Sequence, residues 1–187
     1  MAGGSQTELR ARLRAAIIWR QDRTDPQAYA DVTGLWRDPT LLRALGPALA
    51  DLFPDPPAPT VVLGPESRGT LIGPLVAAHL GVGFVEVRKN HGPLTDSDSW
   101  VRRTTPPDYR DRHLEFGLRR SLLQPSDRVL VVDDWIETGS QARTIRQIVE
   151  SMNAGWIGVA CVVDGMTDPR LRRELRVRSL VRVRDLS

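Results

Sequence analysis

The pattern of hydrophobic and polar positions divides the chain at a proline-rich run, residues 54–59. Before this run, apolar residues recur at the spacing of amphipathic helices, and after it short apolar runs alternate with helical stretches. A run that contains four prolines is stiff and favours a linker. We therefore predict an N-terminal helical hood over 1–58 and a main unit over 59–187, which together form a single compact domain.

The hood contains two predicted helices, one over about 5–22 and one over about 38–53. The second helix has a clear start signal, because Asp38 can cap its N-terminus and a proline follows in the first turn. Residues 27–37 lie between the helices and show no helical period. We predict an extended or looped piece there.

The main unit alternates strands and helices. A strand that is buried on both faces of a parallel sheet is apolar along its whole length, and several runs of this kind occur. The predicted strands are 60–63, 83–88, 128–133, 156–163 and 177–183, and the predicted helices are 69–80, 139–153 and 168–174. This order predicts an α/β fold with a mostly parallel sheet flanked by helices, in which ligands bind at the carboxyl ends of the strands.

Two segments of the main unit fit this alternation poorly. Residues 90–112 carry three prolines and many polar residues without a period. A loop of this length in a compact domain is usually functional or disordered, and we expect it to form a lid over a site. Residues 115–123 are expected to form a short helix or part of the same excursion.

The stretch 128–142 carries the strongest functional signal. Its apolar strand ends in Asp133 and Asp134, and Thr138-Gly139-Ser140 leads into the next predicted helix. The N-terminus of a helix attracts anions, because its first N–H groups lack partners and the helix dipole points towards them. Two neighbouring carboxylates can accept hydrogen bonds from sugar hydroxyls or bind a hard cation. The stretch therefore predicts a site for a sugar phosphate.

Apolar strands that end in acids also occur in other folds that handle phosphate. A P-loop ATPase would need the motif GxxxxGK[ST], and the chain has no Gly-Lys pair. A receiver domain would need acids near its start and a later catalytic lysine, and neither is correctly placed here. These two classes are therefore disfavoured.

Composition agrees with an ordinary globular protein, since hydrophobic residues make up 41% and charged residues 26% of the chain. No apolar run approaches membrane-spanning length, and the N-terminal segment lacks the layout of a signal peptide. The single cysteine, Cys161, lies in an apolar run, so we expect a buried, inert thiol in a reducing compartment. These features predict a cytoplasmic protein without a membrane partner.

Charge adds one signal. The net charge is +3, and 25 of the 26 basic residues are arginine, so that Lys89 is the only lysine. An ammonium group presents a compact point charge to a phosphate, which a guanidinium does not.

Seven arginines lie in the last nineteen residues. We interpret them as a solvated helix face and a charged edge strand rather than as a nucleic-acid surface.

Three motifs resemble one family. The run Asp133-Asp134-Trp135-Ile136-Glu137-Thr138-Gly139 after its strand resembles the signature with which type I phosphoribosyltransferases bind 5-phosphoribosyl 1-pyrophosphate (PRPP). Residues 61–89, with Glu66-Ser67-Arg68-Gly69 and Arg88-Lys89, are similar to the matching stretch of the adenine phosphoribosyltransferases. The segment 29–39 is similar to the adenine-binding segment of that family. The matches occur in the family's order over most of residues 27–165.

The resemblance implies a magnesium-dependent enzyme that transfers ribose 5-phosphate from PRPP to a purine-like base, with adenine first, and releases pyrophosphate. It also implies a homodimer, a cis bond between residues 66 and 67, and magnesium held through PRPP with Asp133 as the candidate protein ligand. The implied site residues are Asp133, Asp134 and Glu137 for catalysis, Thr138, Gly139, Ser140 and Gln141 for the 5-phosphate, Glu66, Ser67, Arg68, Gly69, Arg88 and Lys89 for pyrophosphate, and Tyr29 and Trp135 for the base.

The chain departs from the adenine family mainly near the base. Glu137 occupies a position that is usually small, whereas 6-oxopurine phosphoribosyltransferases carry an acid there that acts as a base. Ser140-Gln141 replaces the usual Gly-Thr, and Ala30 replaces a usual arginine. Two alternatives therefore stay open: a transferase for a 6-oxopurine or pyrimidine base, and a non-enzymatic PRPP-binding regulator whose basic C-terminus binds nucleic acid. Glu137 is either a general base or a solvated loop acid.

Overall fold

The computed structural model describes residues 2–22, 25–90, 96, 99–106 and 113–186. Its helices are α1 (Ala2–Ala16), α2 (Gly34–Arg37), α3 (Pro39–Ala50), α4 (Gly69–Leu80), α5 (Ser140–Ser151) and α6 (Pro169–Glu174). Its strands are β1 (Ile18–Asp22), β2 (Asp25–Asp31), β3 (Val61–Pro65), β4 (Gly83–Lys89), β5 (Trp100–Thr104), β6 (Glu115–Arg119), β7 (Arg128–Ile136), β8 (Gly155–Asp164) and β9 (Val177–Arg182).

Seven strands form the central sheet, in the order β5-β6-β4-β3-β7-β8-β9. The five strands from β4 to β9 are parallel, and β6 and β5 extend one edge in antiparallel pairing. From β3 the chain winds to one side through α4 to β4, and from β7 it winds to the other side through α5 to β8. The topological switch point therefore lies between β3 and β7. This architecture confirms the predicted mostly parallel α/β fold of the type I phosphoribosyltransferase kind.

Helices cover both faces of the sheet, and β7 supplies both cores. Val129 and Val131 pack in the cluster that contains Ile145 of α5. Leu130 and Val132 pack in the cluster that contains the hood and α4. This alternation explains why the strand is apolar without interruption, since successive side chains of a strand point to opposite faces. Cys161 is fully buried, as predicted, and burial raises the pKa of its thiol well above the usual value.

The prediction of a helix over 5–22 was wrong in its second half. Helix α1 ends at Ala16, and β1 (residues 18–22) and β2 (residues 25–31) pair in antiparallel orientation, a pair that we call the hairpin. The apolar residues Ile17 and Ile18 continue the helical period, but they are β-branched and suit a strand equally well. The hood therefore consists of helices and a two-stranded sheet. Its helix α3 packs on the main unit within one core cluster, and the boundary at residue 58 stays a prediction.

The antiparallel edge was also missed. Residues 115–123 were expected to be a short helix or excursion, but residues 115–119 form β6, and a 3-10 turn covers residues 120–122. Within the predicted lid, the described residues 100–104 form β5, which pairs with β6. The rest of the predicted lid lies largely outside the described residues. The missed strands are short and charged, as edge strands commonly are, so their hydrophobic alternation is weak.

Across the described part of the chain, no helix has both the length and the apolar character needed to span a bilayer.

Candidate active site

The candidate site lies at the topological switch point, where the loops after β3 and β7 meet. In open α/β sheets this is the crevice that ligands occupy. Asp133 and Asp134 lie near the end of β7, and the loop of residues 66–68 follows β3 directly. The bond between Glu66 and Ser67 is cis, as the sequence resemblance implied.

Asp133 and Asp134 point in different directions. Asp134 is buried and accepts a hydrogen bond from the Arg68 guanidinium, with 2.9 Å between Nη1 and Oδ2. Asp133 lines a cavity at the N-terminus of α5 instead. Adjacent residues in a strand face opposite sides of the sheet. The pair can therefore approach a sugar ring from two directions.

Close packing of the first loop brings Arg68 to Asp134. A Cβ atom at Gly69 would lie 2.8 Å from the Val132 carbonyl oxygen, so only glycine lets the start of α4 approach β7 this closely. Glu66 fixes the other side of the loop, because its Oε2 accepts the Lys89 backbone N–H at 2.7 Å. The carboxylate of Glu66 thus anchors the loop to β4.

The surroundings of Asp133 disfavour its ionised form. Burial, and next the neighbouring charge of Asp134, raise the pKa of Asp133 well above its usual value. The Asp134 backbone N–H donates to Asp133 Oδ1 at 2.9 Å and partly opposes this shift. A carboxylate in this position favours a ligand that brings hydroxyl donors or positive charge.

Lys89 lies on the side of the sheet that faces Asp133. Burial lowers the pKa of its ammonium group, and the charges of Asp133, Asp134 and Glu66 partly offset this shift. Its Nζ lies 5.6 Å from the centre of the Phe116 ring. The only lysine of the chain is thus a partly desolvated cation beside the two acids, in a place suited to a phosphate group.

Arg88 lies on the opposite face of β4 from Lys89. Its Nε is 3.6 Å from both Glu66 Oε1 and Glu86 Oε2, and its guanidinium carbon lies 6.0 Å from the centre of the Trp100 ring. Of the predicted pyrophosphate residues, the structure therefore brings Arg68 and Lys89 towards the acids and directs Arg88 elsewhere.

A cavity lies at the N-terminus of α5, where the sequence predicted the phosphate site. Gly139 is the N-cap residue of α5 and has a φ of 76°. Because glycine has no side chain that could cap the helix, the first N–H groups of α5 face the loop. Thr138 Oγ1 accepts only the Ser140 N–H in this turn, at 3.3 Å. The adjacent cavity has a volume of about 170 Å³ and is lined by Asp133, Thr138, Gly139 and Gln141, among others.

A second cavity, of about 570 Å³, lies beside the first and is formed between the hood and the end of β7. We call it the base cavity. Its lining residues are Trp19, Ala28, Tyr29, Ala30, Arg68, Trp135, Glu137 and Val183. The structure thus brings the predicted base residues Tyr29 and Trp135 together with Glu137. Ala30, at a position where the resembled family usually has an arginine, lines the hood side of this cavity.

Trp19 is the site residue that the sequence did not reveal. Its ring meets the Trp135 ring edge to face, with 6.2 Å between the centroids. In the hairpin register Trp19 pairs with Ala30, and Arg20 pairs with Tyr29. Because paired residues share a face, Trp19 points to the side of Ala30, whereas Tyr29 shares the other face with Arg20. Trp19 lay in a predicted helix, so no signal connected it to the base.

Among the described residues, no group of three or more His, Cys, Asp or Glu side chains could hold a metal ion. Two adjacent carboxylates nevertheless suit magnesium, which commonly keeps its waters and binds one or two carboxylates together with substrate phosphates. The site therefore fits an ion that arrives with a phosphorylated ligand rather than one held by the protein alone.

The fold and the site together define a transferase of phosphorylated ribose. The model of the phosphoribosyl transferase domain family matches residues 34–184, and the chain belongs to this family. An adenine phosphoribosyltransferase of Francisella philomiragia is 36% identical over 142 residues, which cover 73% of this chain and 75% of that protein.

Solved structures show the same likeness. The adenine phosphoribosyltransferase of Rhodothermus marinus superposes with a TM-score of 0.79 at 28% identity, over 95% of this chain and 99% of that one. The Saccharomyces cerevisiae enzyme, complexed with an imino-altritol bisphosphate and adenine, has a TM-score of 0.76 at 27% identity, over 93% of this chain and 99% of that one.

Proposed function

We propose that this phosphoribosyltransferase transfers ribose 5-phosphate from PRPP to adenine and releases pyrophosphate. The observation that carries the proposal is the pairing of two adjacent cavities at the switch point, one at the N-terminus of α5 and one lined by Trp19 and Trp135. The first suits a phosphate and the second a flat heterocycle. The names of the sequence relatives favour adenine as the base.

The reaction needs charge stabilisation rather than a nucleophile on the protein. As pyrophosphate leaves C1 of the ribose and a base nitrogen attacks, positive charge develops on the sugar ring. Asp133 and Asp134 would accept the ribose hydroxyls and favour that charge. Arg68 and Lys89 would bind the departing pyrophosphate as cations. Magnesium bound with PRPP would neutralise phosphate charge, with Asp133 its candidate protein ligand.

The 5-phosphate would be held mainly by the backbone of α5. Thr138, Gly139 and Gln141 line the 170 Å³ cavity, and together with Ser140 at the start of α5 they would supply N–H groups and hydroxyl or amide donors. Since backbone N–H groups make most of such a site, Gln141 in place of a threonine is compatible with phosphate binding.

A 6-oxopurine is the second candidate base, because Glu137 lines the base cavity. A carboxylate there would accept a proton from a ring nitrogen of the purine.

Homodimer formation and a cytoplasmic location belong to the same proposal, and light scattering on the purified protein tests the first of them.

A base panel tests the proposed function. Purified protein is incubated with PRPP, Mg²⁺ and, in turn, adenine, hypoxanthine, guanine, uracil or orotate, and pyrophosphate release is measured. We expect release with adenine at the highest kcat/KM. A higher value for hypoxanthine or guanine would identify the second candidate. PRPP binding without release for any base would identify a regulator rather than an enzyme.

A further inference from the structure

The Glu137 carboxylate is held in place by Trp135. The indole Nε1 of Trp135 donates a hydrogen bond to Glu137 Oε2 at 2.6 Å. A donor on a charged acceptor at this distance makes a strong hydrogen bond. Glu137 itself is exposed and follows the end of β7, so without this bond its side chain would be free to take other rotamers.

Gly165 packs against the same carboxylate oxygen. A Cβ atom at Gly165 would lie 2.5 Å from Glu137 Oε2 and 3.1 Å from its Cδ. The Gly165 backbone is fixed in turn, because its N–H donates to the Ile136 carbonyl oxygen at 2.8 Å. The carboxylate therefore packs directly on the chain that follows β8, where any side chain would displace it.

Trp135 is also fixed by its neighbours. It belongs to β7, its register partner in β8 is Val163, and its ring meets Trp19 edge to face at 89°. A rigid indole gives its N–H a defined direction. Glu137 lines both the 170 Å³ cavity and the base cavity, so the fixed carboxylate lies where a base and a ribose would be joined.

We propose that Trp135 is a positioning residue whose indole N–H fixes Glu137 as the hydrogen-bond acceptor for an N–H group of the purine. This inference rests on the proposed transfer to a purine. One indole N–H uses one of the several lone-pair positions of a carboxylate, so acceptor capacity remains for the base. Trp135 would thus act through Glu137 as well as by contact of its ring with the base.

The test is a double-mutant cycle on the full-length protein, with KM for adenine, KM for PRPP and kcat measured separately. Trp135→Phe keeps an aromatic ring and removes the N–H. We expect it to raise KM for adenine about tenfold, the scale of one hydrogen bond to a charged group, and to leave KM for PRPP unchanged. In a Glu137→Ala background the same change should have no further effect.

A matched control separates the indole N–H at the site from any loss of an indole. Trp156 donates its Nε1 to the Leu175 carbonyl oxygen at 3.1 Å, outside both cavities. Trp156→Phe should leave both KM values unchanged. Gly165→Ala is a second route, since it displaces the Glu137 carboxylate while Trp135 stays intact, and it should also raise KM for adenine.

Four results would contradict the inference or the proposed function on which it rests. The first is a Trp135→Phe variant with wild-type KM for adenine. The second is a loss in that variant that is equally large without Glu137, which would assign the effect to ring contact alone. The third, the absence of pyrophosphate release by the wild-type protein with every base tested, would reject the proposed function itself. A folded Gly165→Ala variant with unchanged kinetics would contradict the role of Glu137 even if Trp135→Phe did not fold.

Discussion

The two cavities of the site are built by different means. The proposed phosphate cavity of about 170 Å³ depends on backbone, namely the N-terminus of α5 and the left-handed Gly139 that precedes it. The base cavity depends on side chains that the hood hairpin and the end of β7 bring together, chiefly Trp19, Trp135 and Glu137. The geometry of the phosphate cavity is therefore determined by the backbone fold, and that of the base cavity by the identity of a few side chains.

This difference accounts for where the chain departs from its family pattern. A phosphate bound by N–H groups tolerates Ser140-Gln141 in place of Gly-Thr, because the backbone donates whatever the side chain is. A base is recognised by shape and by individual polar atoms, so Ala30 and Glu137 alter the cavity directly. Substitutions should accordingly separate into those that affect PRPP and those that affect the base.

The largest effect is expected at Asp134, because this residue contacts Arg68 of the base cavity and would also bind the ribose of PRPP. Asp134→Asn removes the charge that pairs with Arg68 at 2.9 Å and that would favour the positive ribose. We expect kcat/KM for both substrates to fall about a hundredfold or more. Asp55→Asn is the control, since Asp55 is highly exposed. An Asp134→Asn variant as active as wild type would place the sugar site elsewhere.

Gly139→Ala should weaken PRPP binding at the proposed phosphate cavity and leave the base cavity unaffected. Alanine at a φ of 76° is strained, and its Cβ would lie 2.7 Å from the Met166 methyl carbon, Cε. Gly81→Ala is a close control, because Gly81 has a φ of 69° with no atom within 4 Å of the added Cβ. Both variants should lose about 1 kcal/mol of unfolding free energy from backbone strain. Calorimetry should show roughly tenfold weaker PRPP binding, on the scale of about 1.4 kcal/mol, for Gly139→Ala only.

Equal PRPP affinities in the two glycine variants would contradict the account. The N-terminus of α5 would then not be the phosphate site, and the strain at Gly139 would be a matter of folding alone.

Trp19→Ala should affect binding at the base cavity alone, and by a smaller factor than the preceding variants. Loss of one aromatic contact of about 0.5–1.5 kcal/mol corresponds to a rise of roughly twofold to tenfold in KM for adenine, with KM for PRPP unchanged. Tyr29→Ala gives the comparison within the same cavity, because Tyr29 also lines it but pairs with Arg20 rather than lying opposite Trp19. A larger effect from Tyr29→Ala would show that the base contacts Tyr29, as the sequence predicted, rather than Trp19.

The smallest effect is expected for the stability of Asp133→Asn, measured as the melting temperature of the variant against that of wild type. The pKa of Asp133 is raised in the folded state, so its contribution to stability is fully present below its unfolded value, near 3.8, and is lost as pH rises through the folded pKa. An uncharged asparagine avoids that loss. The variant should therefore unfold at a higher temperature than wild type at neutral pH, while the two coincide in acid. A lower melting temperature at neutral pH would show that the ionised pair stabilises the fold.

The sequence was most informative where local pattern and topology agree. The run at β7 predicted a buried strand and the helix start that follows, and both are confirmed, but the strand continues to Ile136, past the two acids at which it was predicted to end. The order of strands and helices then placed the loops after β3 and β7 at one crevice, since a parallel sheet leaves few alternatives.

The sequence was least informative where a contact depends on register or on residues far apart. The hairpin continued a helical period, so the position of Trp19 opposite Ala30 and beside Trp135 could not be predicted. Arg88 and Lys89 are adjacent in sequence but lie on opposite faces of β4. The restraint of Glu137 by Gly165 joins the ends of two strands and has no local signature.

The most direct test of the central claim is product formation from PRPP and adenine. The protein is incubated with both substrates and Mg²⁺, and the nucleotide is identified by mass while pyrophosphate is measured in the same sample. The account predicts adenosine monophosphate and pyrophosphate in equal amounts, with formation abolished in Asp134→Asn and retained in Asp55→Asn. Tight PRPP binding without any nucleotide product would contradict it.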